Sequence, residues 1–455
     1  MSKSLLRDYA IPLGRHDEML AEPGVPRPHW AAFLAMLAAR QGPRAADSLA
    51  QVERDVREHG ITYNVYADPK GADRPWRVDP LPLLIAADEW RQIEAGIAQR
   101  AQLLNRVLGD IYGPQQLLRS GEVPPAIVFG HSGYLRPAQG LRPPGGVHLF
   151  QYAADLARSP DGRWWVVDDR TQAPSGAGYA LENRLIVSRV FPRIFRDLQV
   201  QHLASFFDAL RDAIRAWAPR GDGPPQIALL TPGPYNETYF EHALLARYLG
   251  FTLVEGKDLT VRDGKLWLKS VAGLERVHAL LRRQDDDYCD PLELRAESAL
   301  GVPGLTDCAR LGNVMLANAL GAGVLESGAL LGYLPTLARR LLGEELLLPS
   351  VATWWLVATF GFHTVSALNR TAEVTYTVRP EAAGRGLATL VCRAAVRWGF
   401  GARGWVRIQA TVLEANLASR RVLDKCGFAF EGTLRNLRIV RGRPSDFLLY
   451  ATVPD

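Results

Sequence analysis

The decapeptide Pro380-Glu381-Ala382-Ala383-Gly384-Arg385-Gly386-Leu387-Ala388-Thr389 holds the plainest chemical signal in the sequence. A strand ends there, a loop with two glycines follows, and an apolar helix begins. Glycines lack a Cβ and let a ligand come close to the backbone. Free N–H groups at a helix start suit a phosphate or pyrophosphate. The same spacing also makes a simple turn. Downstream, Asn416 and Ser419 stand one helical turn apart, ahead of Gly427-Phe428. On the strand before the loop, Glu373 is a candidate general base for an amine proton, or an exposed strand carboxylate. Ser419 is a candidate acid or a helix-capping hydroxyl. Tyr376 is a second candidate acid or a core aromatic.

A second set lies upstream. Val167-Asp168-Asp169-Arg170 ends a strand ahead of Pro174-Ser175-Gly176-Ala177-Gly178. Strand-end carboxylates before a glycine loop suit Mg²⁺ and phosphate, which makes Asp168 and Asp169 candidate metal ligands. Arg282-Arg283-Gln284-Asp285-Asp286-Asp287 sets two cations beside three acids. From spacing alone, a turn or a surface ion-pair cluster is the favoured explanation of either set.

These residues need elements to hold them. In the last hundred residues, LVATFGFHTVSA and AEVTYTVRP read as strands around a turn at Leu368-Asn369-Arg370. GRGLATLVCRAAVRWGF reads as a helix. Val406, Ile408, Ala410 and Val412 alternate on one face of a half-buried strand. LASRRVLDKCGF is a short helix, and a final hairpin turns at Gly442-Arg443-Pro444. Upstream, helices are expected over HWAAFLAMLAARQG, SLAQVERDVREHG and the long ADEWRQIEAGIAQRAQLLNRVLGDIYG, and strands over ITYNVYA and GRWWVVDD. PPQIALLTPGPYNETYFEHALLARYLGFTLVEG reads strand, turn, helix, strand. Asp263-Gly264 turns a hairpin, and the remainder to about Leu348 reads as helical with glycine breaks.

A chain of 455 residues has room for two to four domains. The net charge of +5 is unevenly spread. The last hundred residues carry a surplus of positive charge, and a phosphorylated cofactor is one partner that such a surface attracts. The four cysteines form no C-x-x-C pair, which argues against a zinc knuckle or thioredoxin-like site. No signal-peptide core and no apolar run of bilayer length are visible, so a reduced, soluble, cytoplasmic protein is expected.

From Leu356 to Asp455 the order of motifs resembles the GNAT acetyltransferase superfamily, in its branch that acetylates N-terminal alanines. The resemblance implies that Ala383, Gly384, Arg385, Gly386, Leu387 and Ala388 grip the pyrophosphate of acetyl-CoA, and that Asn416 contacts its pantetheine arm. It implies amine attack on the thioester, with Ser419 as acid by that branch; Glu373 is the candidate base and Tyr376 the second candidate acid. Glu381 stands where the family has Arg or Gln, and Leu423 where many members have the acidic Tyr. The match starts at the family's third strand.

The earlier segments include Tyr63-Asn64-Val65-Tyr66, Arg74-Pro75-Trp76, Gln99-Arg100, APSGAGYALENR, LLTPGPYNETYFEHALLARYLG and LLRRQDDDYCDPLELRAESALGVPGL. Their order resembles the circularly permuted type 2 ATP-grasp family, related to glutathionylspermidine synthetase. That implies ATP and Mg²⁺, and ligation of a carboxylate to an amine. Asp168-Asp169-Arg170 replaces the Glu-Asp-Asn of many relatives, and Arg170 cannot ligate Mg²⁺. The resemblance ends at Trp355, before the family's nucleotide-contacting lysine.

The expected fold class is therefore α/β and α+β, multidomain. A helical extension (1–59) precedes a partial permuted ATP-grasp domain (60–355) and a partial GNAT domain (356–455), a mixed sheet flanked by helices. The expected activity is acetyl-CoA-dependent N-acetylation of a small-molecule or peptide or protein N-terminal amine. The alternatives are an ATP-dependent carboxylate–amine ligase, or a truncated fusion with a binding or scaffold role. The ATP-grasp resemblance also implies alpha-E or transglutaminase-like partner proteins. No membrane and no nucleic acid partner is expected.

Overall fold

The computed structural model describes residues 9–11, 14–39, 45–64, 74–221, 223–351, 353, 358–379, 383–440 and 442–454, with the backbone alone for 45–49 and 358–359. The chain divides into two compact units, Met1–Thr353 and Trp354–Asp455.

After a short antiparallel pair, Leu20–Glu22 with Val25–Pro26, the first unit has helices α1 (Pro28–Ala38), α2 (Ala45–Glu58) and the long α3 (Ala87–Ile111). An antiparallel pair follows, β1 (Ala153–Arg158) and β2 (Trp164–Arg170), then α4 (Ala177–Val190) and α5 (Ala204–Trp217). Next come β3 (Ile227–Leu230), α6 (Tyr239–Leu249) and β4 (Thr252–Val254). The strands β5 (Leu259–Arg262), β6 (Lys265–Ser270) and β7 (Gly273–Arg276) form an antiparallel meander. β8 (Ala279–Arg282), β9 (Met315–Ala317) and α7 (Leu334–Leu342) complete the unit.

Its centre is a four-stranded sheet of order β9-β8-β3-β4, parallel throughout. Successive side chains of a strand point to opposite faces. Ile227 and Leu229 pack with Phe207, Leu210 and Ile214 of α5 and with Leu245 and Leu249 of α6. Ala228 and Leu230 join Leu104, Leu108 and Ile111 of α3 and Leu334 and Leu337 of α7. Helices thus cover both faces, as a parallel sheet requires. On α1 and α2, Trp30, Phe33, Val52 and Val56 share a core with Tyr179, Ile186 and Val190 of α4, so the N-terminal helices belong to this unit.

Several sequence expectations need correction. The stretch read as helical up to Leu348 contains β8 and β9, half of the central sheet. ALLR and MLA are buried at every position, and so short a buried run has no periodicity to separate strand from helix. In ITYNVYA, Thr62 makes one isolated bridge to Pro75, and residues 65–67 lie outside the described residues. The Asp263-Gly264 hairpin forms as read: Arg262 pairs with Lys265 and both turn residues have positive φ, 52° and 64°. That is the geometry whose twist matches the flanking strands.

The second unit comprises β10 (Ala358–Ser366), β11 (Thr371–Val378), α8 (Leu387–Gly401), β12 (Arg407–Leu413), α9 (Leu417–Lys425), β13 (Ala429–Val440) and β14 (Arg443–Thr452). The sheet order is β10-β11-β12-β14-β13, mixed, with only β11 and β12 parallel. Ala372, Val374, Ile408, Ala410 and Val412 meet Cys392 and Ala395 of α8 and Leu423 of α9 in one core. Val406 precedes β12 and is exposed. Val440 pairs with Arg443, so the last hairpin turns one position earlier than read and Arg443-Pro444 belong to β14.

Candidate functional site

In the first unit the four parallel strands end along one edge of the sheet. Ligands of open α/β sheets bind outside that edge, because the loops leaving the strands converge there. Thr231–Tyr235 follow β3, Glu255–Lys257 follow β4, Arg283–Asp287 follow β8, and Asn318 follows β9. Arg282 is buried and donates to the carbonyls of Gln284 (2.5 Å) and Gln172 (2.9 Å). Asp286 accepts from Gln172 Nε2 (3.0 Å) and from the Gly321 N–H (2.9 Å). Burial pushes its carboxyl up, against the pull of Arg282 and the Gly321 N–H. Arg283 donates to Gln151 Oε1 (3.2 Å) and Glu241 Oε2 (3.4 Å). His242 lies between the hydroxyls of Thr231 (2.9 Å) and Thr238 (3.0 Å), and burial, helped by Arg283, pulls its imidazole down to about 3. Outside this buried layer, Tyr235 is 83% exposed, and Asp285 and Lys257 are also exposed. The Arg282–Asp287 segment is thus not a surface ion-pair cluster: its arginines and Asp286 sit under the edge.

The predicted metal pair is split by its surroundings. Asp169 is buried, with Oδ1 accepting from Arg100 Nε (2.7 Å) and the Tyr152 hydroxyl (2.6 Å) and Oδ2 from Arg100 Nη2 (2.9 Å). Asp168 accepts from the Asp169 N–H (3.0 Å) and lies 3.3 Å from Arg170. The glycine loop is also engaged. Oε1 of the buried Glu241 accepts from the N–H groups of Gly176 and Gly178, each at 2.8 Å, so an internal carboxylate takes the place at the start of α4 that a phosphate would need. Sequence reasoning missed Arg100 and Glu241 as the partners that decide these roles. Gln99-Arg100 entered the sequence reading as one segment of the family resemblance, with no partner assigned to it.

In the second unit β11 and β12 pair over Thr371–Glu373 with Arg407–Gln409 and then part. In chain order α8 follows β11 and α9 follows β12. Ala383, Gly384, Arg385 and Gly386 are exposed, and Leu387 and Ala388 open α8 half-buried. Gly384 and Gly386 both have φ of 77°, which favours glycine at each. Asn416 caps α9, its Oδ1 accepting from the Ser419 N–H (3.1 Å). The capping atom therefore belongs to Asn416, and the Ser419 hydroxyl turns instead to Tyr376 Oη at 2.8 Å. Burial pushes the Tyr376 phenol up to about 12, eased by the Ser419 bond.

Glu373 is 7% exposed, not the solvated strand carboxylate that was one reading of it. Thr411 Oγ1 donates to its Oε1 at 2.5 Å, and His363 Nε2 (3.8 Å) and Arg438 Nη2 (3.7 Å) flank the same oxygen. Thr411, His363 and Arg438 carry no motif and were not foreseen. Glu373 and Tyr376 are an odd number of positions apart on β11 and so project from opposite faces of the sheet. Glu381 lies outside the described residues.

A model of one family, circularly permuted ATP-grasp type 2, matches residues 82–394. The chain belongs to the circularly permuted ATP-grasp type 2 family. The match runs past Trp355, where the sequence reading ended it, and enters the second unit. An uncharacterised protein of Mycobacterium tuberculosis is 44% identical over 349 residues, covering 75% of this chain. The chain spans 39% of that relative's length. An uncharacterised protein of Synechocystis is 38% identical over 378 residues, covering 82% of this chain and 77% of the relative. Among solved structures, Mycobacterium smegmatis RimJ in complex with CoA-disulfide is 33% identical over 22% of this chain and 48% of its own, with a TM-score of 0.22. A likeness at that score decides nothing about the second unit.

The family's chemistry calls for ATP and a divalent metal, which the described residues can be tested against. Among the described residues no group of three or more His, Cys, Asp or Glu side chains could hold a metal ion. With both Asp169 oxygens taken by Arg100 and Tyr152, a metal does not fit the Asp168–Asp169 pair. No helix among the described residues is long and apolar enough to cross a membrane.

Proposed function

We propose that the chain serves an ATP-dependent carboxylate–amine ligase and that the carboxyl edge of the parallel sheet in the first unit is its substrate side. Family membership over residues 82–394 supports the reaction class. One observation carries the location: the four strand ends converge there over buried Arg282 and Arg283, with Tyr235, Asp285 and Lys257 outermost. In this chemistry ATP supplies the leaving group that makes a carboxylate reactive towards an amine. Asp169 and the Gly176 and Gly178 amides take no part in holding it. The edge residues bind and orient the acid substrate: Arg282 and Arg283 lie beneath the edge, and the bonds from Arg283 to Gln151 and Glu241 hold that layer in place. The test is nucleotide-dependent stabilisation together with ADP release in the presence of mixed amino acids and amines. ATP at a hundred times its dissociation constant is expected to stabilise the protein by about 2.7 kcal/mol. No shift in melting temperature with ATP and Mg²⁺ or Mn²⁺, and no ADP release, would overturn the proposal.

A second reading, N-acetyl transfer from acetyl-CoA to a small-molecule or N-terminal amine, is supported by the parting of β11 and β12 beyond Glu373 and by the two positive-φ glycines ahead of α8. Binding of acetyl-CoA in the micromolar range, about −8 kcal/mol by calorimetry, is its expected result. Gly386→Val, which forces a branched side chain to a φ of 77°, is expected to weaken that binding at least tenfold. Calorimetry with no heat of binding for the intact chain removes this reading. Alpha-E or transglutaminase-like proteins are proposed partners of the ligase reading, and no nucleic acid partner is proposed. A cytoplasmic location is supported by the free thiols of Cys289, Cys308, Cys392 and Cys426.

A further inference from the structure

Neither reading uses the cysteines. Cys392 lies on α8, fully buried in the core of the second unit with Ala395, Ile408 and Leu423. Cys426 stands directly after α9, where its N–H closes the helix on the carbonyls of Val422 and Leu423, and it is half-buried. Its thiol donates to the Thr389 carbonyl at 3.5 Å. Thr389 is three residues before Cys392, and helical side chains lean towards the helix start, so the Cys392 side chain covers the turn that Cys426 touches. Cys426 packs against the core cluster to which Cys392 belongs. A second strut holds the same contact, with Arg393 Nη2 donating to the Lys425 carbonyl at 2.8 Å. Tyr376 packs against the same core.

We propose that Cys392 and Cys426 are a modification site, forming a reversible disulfide with a two-electron oxidant of the peroxide class and thereby tying α8 to the end of α9. Cys426 reacts first, because solvent reaches it and not Cys392. Its thiolate takes one peroxide oxygen and becomes a sulfenic acid, and the other oxygen leaves as water. Cys392 then attacks the sulfenic sulfur, the S–O bond breaks, and the hydroxide leaves with the thiol proton as a second water. Two thiols and one hydrogen peroxide give one disulfide and two waters, with each sulfur giving up one electron. Burial and the neighbouring sulfur push the Cys392 thiol up, so the second step is the slower one and quickens as pH rises.

The test treats the full chain with hydrogen peroxide, alkylates it unfolded, and maps the peptides by mass spectrometry. The expected product is a cross-linked peptide pair joining Cys392 to Cys426, lighter by two hydrogens and undone by dithiothreitol, with Cys289 and Cys308 alkylated. Cys426→Ser is expected to abolish the cross-link, and Cys392→Ser to leave a sulfenic acid on Cys426 that dimedone traps. Recovery of Cys426 as sulfenic or sulfinic acid in the wild-type chain with Cys392 alkylated, or of both thiols unmodified, overturns the proposal. So does a bridge to Cys289 or Cys308. The wild-type map needs no variant to fold.

Discussion

Replacing Asp169 by alanine is expected to destabilise the first unit by about 3–5 kcal/mol, the usual cost of stranding one member of a buried ion pair. The Arg100 guanidinium and the Asp169 carboxylate are almost fully enclosed, joined by two parallel bonds of 2.7 and 2.9 Å. Each charge has lost its water and is stabilised chiefly by the other. The substitution leaves Arg100 with only the Ser350 hydroxyl (3.0 Å) and deprives the Tyr152 hydroxyl of its acceptor. Arg170 and Asp155 make an internal control on the same strand pair. Their 2.8 Å bridge is about half exposed on both sides, so Asp155→Ala is expected to cost about 0–1 kcal/mol. The measurement is hydrogen exchange of the β2 and α3 amides, which reports the first unit without assuming that both units unfold together. Equal protection in the two variants would mean that Asp169 is not a structural ion-pair partner, and the metal role would return.

Acid is expected to destabilise the same unit through two histidines. Burial pulls His148 down to about 4, and burial with Arg283 pulls His242 down to about 3. In the unfolded chain both imidazoles titrate near pH 6.5. Above that pH neither state binds the proton and their stability contribution is fully present. As pH falls below 6.5 the unfolded chain takes up protons that the folded protein refuses, and stability is lost progressively towards the folded values. At pH 5 each histidine accounts for about 2 kcal/mol of loss. Asp286 works in the opposite sense: its raised carboxyl keeps a proton that the unfolded chain has released, so it gains stability as pH falls. His242→Asn separates these contributions. Its deficit relative to wild type, measured at pH 7.5 by urea unfolding, is expected to shrink by about 2 kcal/mol at pH 5. A deficit independent of pH would show that His242 titrates normally in the folded protein.

Much of the second unit was legible because its elements announce themselves locally. β12 alternates buried and half-buried residues, Asn416 precedes a helix that it then caps, and two glycines mark the start of α8 where both adopt positive φ. In the first unit the β3–α6–β4 segment and the Asp263-Gly264 hairpin were equally plain. By itself the sequence determined these elements and, through the order of its motifs, the family. It could not separate β8 and β9 from helix, since a strand buried on both faces has no polar side to give it a period.

The roles of the site residues were decided by partners far along the chain. Asp169 meets Arg100, 69 positions away, and becomes half of an ion pair; Glu241 reaches back 65 positions to Gly176 and fills the helix start. Glu373 is enclosed by Thr411 and Arg438, 38 and 65 residues later. A local pattern records what a side chain can do with its neighbours in sequence. Whether a carboxylate faces water, a metal or a buried guanidinium depends on which distant surface folds against it, and only the tertiary structure sets that.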